Sequence, residues 1–157
     1  MLEWGRKSGG IVPVEREGRV VAELRPSSFR ERADVAIEGA PWQFFKRSGD
    51  LHAVREGMPE ALTASRPSFF RQAWEVDAGT IAYRIEPAGF FRSGYHVLCG
   101  ATRIGYSDKI GFWTRRPTLD VDPSVPLEHQ VFLLWVAYVM RKRSEGAATA
   151  GGGGGAT

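Results

Sequence analysis

A chain of 157 residues, 43% hydrophobic and 25% charged, has the length and apolar content of one folding domain, which excludes a wholly disordered chain. Its net charge of +3, carried mainly by arginine, is too dilute for a dedicated DNA binder but allows contact with anionic surfaces. The single cysteine, Cys99, excludes an intrachain disulfide and gives no reason to expect an oxidising compartment. The opening residues Met1 to Gly5 lack a basic segment leading into an apolar run, so a cytoplasmic location is expected.

In chain order, period-two alternation or short β-prone runs predict strands at Ile11–Val14, Arg19–Leu24, Ala33–Glu38, Trp42–Phe45, Leu51–Arg55, Ala61–Ser65, Ala73–Val76, Thr80–Glu86, Tyr95–Leu98, Thr102–Tyr106, Ile110–Trp113 and Thr118–Val121. Gly18, Gly39, Gly57, Gly79 and Gly100 separate pairs of these and suit hairpin turns. The other breaks carry a recurring phrase in which a proline is followed by small residues, an aromatic and an arginine: Pro26 to Arg30, Pro67 to Arg71 and Pro87 to Arg92. Looser copies pair Trp4 with Arg6, Phe45 with Lys46 and Trp113 with Arg115. Breaks therefore fall roughly every ten residues, the rhythm of a sandwich or barrel of short antiparallel strands.

The pattern changes once. Asp122-Pro123-Ser124-Val125-Pro126 carries helix-start chemistry, with Ser124 as a candidate cap. Glu128 then suits the positive end of a helix, and Arg141, Lys142 and Arg143 the negative end. Between them Val131, Phe132, Leu133, Leu134, Trp135, Val136, Ala137, Tyr138, Val139 and Met140 form an apolar run with no polar stripe. At 1.5 Å per residue the run reaches about 15 Å, short of the ~20 residues a membrane span needs. An all-apolar helix of this length belongs in a core, so the fold expected is mainly β: about twelve antiparallel strands in a closed barrel around a central hydrophobic C-terminal α-helix at about 125–143. Residues 1–143 would form the domain, and 144–157, rich in Gly and Ala, a disordered tail.

The aromatic-basic corners, regular hairpin turns and terminal apolar helix together resemble the tubby-like superfamily, which includes the tubby C-terminal domain, LURP-one-related proteins and phospholipid scramblases. That resemblance covers about residues 1–143 and implies a twelve-stranded barrel enclosing the helix. It also implies phosphoinositide or other anionic-lipid binding, as in the tubby branch, but no motif of that branch matches here residue by residue. Scramblases differ in having cysteine-rich stretches and a longer apolar end, whereas this chain has Cys99 alone.

If the corners share one rim, Arg30, Lys46, Arg47, Arg71, Arg92, Arg115 and Arg116 converge, joined by Arg32, and form a candidate contact for anionic headgroups. Phe69, Phe90 or Trp113 would then dip into the interface; otherwise the aromatics close the end of the core and the charges are merely solvated. His52, His96 and His129 have no metal-ligand spacing, and Gly151 to Gly155 lacks the strand and helix that would frame a phosphate loop, so no metal or cofactor is expected. Cys99 reads as a small core residue, and Glu128 with His129 as polar residues near the barrel mouth. The function expected is a non-enzymatic binding domain, associating peripherally with anionic phospholipid at the inner membrane face. The alternative is a cytoplasmic protein-interaction scaffold. A small-ligand barrel is less favoured because the helix would fill the lumen. Single-stranded nucleic acid is also less favoured, because it demands that Phe29, Phe70 and Phe91 be exposed for stacking.

Overall fold

The computed structural model describes residues 1–59, 61–67, 72–89, 92–111 and 115–152, with side chains to residue 149. The strands are β1 (Leu2–Trp4), β2 (Val12–Arg16), β3 (Arg19–Pro26), β4 (Arg32–Ile37), β5 (Ala40–Arg47), β6 (Asp50–Arg55), β7 (Leu62–Ser65), β8 (Trp74–Asp77), β9 (Ala82–Pro87), β10 (Tyr95–Cys99), β11 (Thr102–Ile110) and β12 (Arg116–Val121). Each pairs antiparallel with its sequence neighbours, and β12 returns to β1 through Leu2↔Leu119, closing the barrel. Helix α1 (Leu127–Gly152) follows.

Alternation sets the inner face. Val35 and Ile37 on β4, Trp42 and Phe44 on β5, and Leu51 and Ala53 on β6 are all buried, while their neighbours turn outward or to intermediate positions. Val131 to Met140 fill the space those residues enclose, with every member buried except the half-buried Tyr138. Phe44 meets Phe132 edge-on at 5.2 Å and Trp135 at 5.3 Å between ring centroids, and Trp4 lies 4.3 Å from Tyr138. The apolar run is thus the plug of the barrel.

Several boundaries differ from those expected. β1 is an additional strand, too short to show alternation, and it closes the ring. The separate candidates Thr102–Tyr106 and Ile110–Trp113 contribute to one strand, β11, which ends at Ile110; residues 112–114 lie outside the described residues. Phe45 and Lys46 do not form a corner but lie within β5, and the turn follows at Ser48-Gly49. There both central residues have positive φ, 52° and 88°, as at Glu17-Gly18 and Glu38-Gly39. Tight two-residue hairpins of this hand require it, which is why glycine stands second in each.

The helix runs to Gly152, not to Arg143, so the start of the expected disordered tail, residues 144–152, is helical. A rod already anchored in the core needs no new nucleus, and Ala147 and Ala148 are good formers beside the weak Gly146. Residues 153–157 lie outside the described residues. Ser124 does not cap the helix; its hydroxyl and amide both donate to the Asp122 carboxylate, at 2.7 and 2.9 Å. Gln130 instead ties the first turn, donating to the Val125 carbonyl and accepting from Arg16.

Up-and-down topology sends alternate connections to opposite ends. At one end, the entry end, lie the β2–β3, β4–β5, β6–β7, β8–β9 and β10–β11 turns and the start of α1. At the other, the exit end, lie the remaining connections and the emerging helix, held there by Arg143 Nε donating to Glu31 at 2.8 Å.

Trp135 is 2% exposed. Trp135→Ala is expected to cost about 3–5 kcal/mol through lost burial and an unfilled cavity, whereas Lys142→Ala on the same helix stays within about 0.5 kcal/mol. Urea unfolding followed by circular dichroism measures both; equal effects would contradict the plug.

Candidate functional site

Charge is unevenly divided between the two sets of connections. Among the described residues, those at the exit end carry Arg6, Lys7, Arg30, Arg66, Arg92 and Arg115 against one acid, Glu31. The described residues of the entry-end connections include no Lys or Arg and carry Glu17, Glu38, Glu56 and Asp122. Arg16, Arg19, Arg55 and Arg103 sit on strand ends at the entry side, so the separation belongs to the loops and not to the whole wall. Among the described connection residues the one aromatic, Phe29, also belongs to the exit end.

The expected rim residues that the structure describes fall on this end, in different circumstances. Arg30 is exposed beside Phe29 on the β3–β4 connection. Phe29 is 98% exposed, which overturns the expectation that it is covered; Phe70 and Phe91 lie outside the described residues. Lys46 sits 3.7 Å from the Glu31 carboxylate, and the Arg47 guanidinium lies over the Phe45 ring at 5.2 Å. Together with Arg32 they line an open cleft of ≈ 650 Å³ between the β3–β4 connection and β5.

Arg92 is exposed on the β9–β10 connection, and Arg115 is half-exposed and paired with Glu145 of α1 at 3.1 Å. Arg116 is largely structural: its Nη1 donates to the Trp4 carbonyl at 3.2 Å, across the closing strands. Arg71 lies outside the described residues, as do Phe69, Phe90 and Trp113.

The helix adds cations that the rim pattern did not include. Lys142 is exposed, with its ammonium 5.6 Å from the Tyr138 ring centre, and Arg143 packs over Trp74 at 4.8 Å while holding Glu31. Glu31, unremarkable in sequence, is therefore the acid that joins the β3–β4 connection to both Lys46 and the helix. No local pattern announces it, because its partners are distant in the chain.

At the entry end, His129 Nδ1 and the Tyr83 hydroxyl are 2.8 Å apart, which ties His129 at the helix start to β9 of the wall. Burial pushes the Tyr83 hydroxyl above its ordinary range, with Cys99 and Glu128 adding to the shift. Burial also lowers His129, against a smaller opposing pull from Glu128. Cys99 packs against the core, and among the described residues no group of His, Cys, Asp or Glu is placed to hold a metal ion. No helix among the described residues is long and apolar enough to cross a membrane. No family model, no curated protein and no solved structure matches this chain.

The lowered His129 gives a pH prediction. With its folded pKa below the unfolded value of about 6.5, the unfolded chain binds more protons as pH falls through that value, so stability declines from pH 7 towards pH 5. His96, lowered first by burial and then by Arg103, acts in the same direction. His129→Gln is expected to flatten part of the decline in thermal midpoint, leaving the His96 share; an unchanged slope would refute the assignment.

Proposed function

We propose that this protein is a non-enzymatic binding domain that associates peripherally with anionic phospholipid through the exit end of the barrel. The observation that carries the reading is the coincidence, at one end, of every loop cation among the described residues with the exposed Phe29. Phosphate-rich surfaces attract cations at about 1 kcal/mol per residue near the surface, and aromatic side chains favour the headgroup boundary. Exposed Arg30 is suited to the first role and the exposed Phe29 beside it to the second. The resemblance to the tubby-like superfamily and its lipid-binding branches agrees with this reading, as does a barrel whose interior is occupied by its own helix.

Single-stranded nucleic acid is the second reading, favoured by the same exposed Phe29, since a ring next to an arginine also serves as a stacking platform. The two differ in what competes. A short oligonucleotide displaces a nucleic-acid binder from vesicles at low concentration and leaves a lipid binder in place.

Co-sedimentation with vesicles tests the proposal. Wild-type protein is expected on phosphatidylserine vesicles and in the supernatant with neutral phosphatidylcholine. The combined Arg30→Gln, Arg92→Gln and Lys142→Gln variant should bind about 100-fold more weakly, from roughly 1 kcal/mol per lost cation. Arg19→Gln with Arg103→Gln, at the opposite end, should change little. Equal binding to neutral and anionic vesicles, or equal losses from both ends, would dispose of the idea.

A further inference from the structure

Among the described residues, Arg141 is a buried cation without an acid. It is 7% exposed, its Nη1 reaches the Asp108 backbone carbonyl at 3.4 Å, and its Nη2 is buried with no hydrogen-bond partner among the described residues. The guanidinium lies over the Tyr95 ring at 5.6 Å. Its place is not explained by the helix dipole, because the helix continues to Gly152 and Arg141 is well inside it. Its neighbours Lys142 and Arg143 have their own contacts, whereas Arg141 turns into a cleft of ≈ 610 Å³ between α1, the β9–β10 connection and the end of β11.

The chemistry of that cleft is asymmetric. Arg92 and Lys109 line it together with Arg141, and Gln72, Ser93 and Ser144 supply further polar groups. Glu145 also lines it, but its carboxylate is engaged by Arg115; the Asp108 carboxylate accepts from Ser93 Oγ at 3.1 Å. Burying a guanidinium with a donor left unsatisfied is costly unless an acceptor completes it. Guanidinium groups are matched, by planar paired donors, to the oxygens of phosphate.

We infer that the cleft lined by Arg141, Arg92 and Lys109 is a binding site for a phosphate-type oxyanion, with Arg141 as the buried receptor. The site deepens the anionic-membrane reading, and rests on it only for the source of the phosphate, which is either a lipid headgroup or a soluble phosphate compound.

Inorganic phosphate is the first probe, titrated at constant ionic strength against chloride, with the thermal midpoint and the NMR signal of the Arg141 side-chain Nε–H as readouts. Wild-type protein should show a saturable shift in both. Arg141→Met, similar in length but without donors, should weaken the midpoint response at least about ten-fold, while Arg19→Gln at the entry end leaves it intact. If Arg141→Met does not fold by circular dichroism, Arg92→Gln with Lys109→Gln keeps the receptor and should weaken phosphate several-fold. No saturable response in the wild type, or an equal response in the folded cleft variants, overturns the site.

The second probe compares phosphatidic acid with phosphatidylserine vesicles at equal surface charge. A wild-type preference for phosphatidic acid that disappears in the cleft variant assigns the phosphate to lipid; phosphate binding without that preference assigns it to a soluble compound. Failure of all anionic vesicles to bind would remove the membrane reading and leave the phosphate titration to judge the site by itself.

Discussion

The enclosure of Val131 to Met140 by a closed ring of strands is the constraint on which the rest of the molecule depends. A helix apolar on all sides has no face to offer water, so it is stable in this chain only where side chains surround it. The ring in turn needs something to fill it, and Phe132, Leu133, Leu134, Trp135 and Val136 supply volume that the inner faces of the strands do not. Closure through β1 and β12 also removes the free edges that an open sheet of this size would present. The chain's first strand and its last therefore meet as a requirement of the plug.

A filled lumen moves chemistry outward, and topology decides where it goes. In an up-and-down barrel every second connection shares an end, so a sequence that alternates basic-aromatic loops with acidic glycine turns produces two ends of different character. Crowding cations at one end has a repulsive cost, and the acids found there are those that relieve it. Glu31 serves Lys46 and Arg143, and Glu145 serves Arg115. Both acids also bind the loops to the emerging helix, so the basic end is held against the plug. Arg141 stands apart because no carboxylate among the described residues reaches it.

Much of this architecture is legible along the chain because it follows from periodicity. Alternation marks which faces of β3, β4 and β9 are inward, glycine marks where two consecutive residues take positive φ, and the length of the apolar run separates a core helix from a span. Sequence fails where the signal is short or remote. β1 is too brief to alternate, Ser48-Gly49 was overshadowed by Phe45 and Lys46 beside it, and β11 is long enough to look like two strands. The helix passes its basic residues, two of which, Arg141 and Arg143, have partners on the barrel wall and its connections, which no local rule for helix ends can register.

From the sequence alone came a mainly β chain with an apolar plug and basic-aromatic corners at regular intervals, since these depend only on local period and composition. Tertiary structure decided that Phe45 and Lys46 lie within a strand, that the described basic residues of the connections share an end with the emerging helix, that Phe29 stands exposed while Arg116 serves the closing strands, and that Arg141 is buried with no acid among the described residues. The physical reason is distance: pairing and burial are set by residues far apart in the chain, such as Glu31 with Arg143 or Arg141 with Asp108, brought together only when the ring closes around its helix.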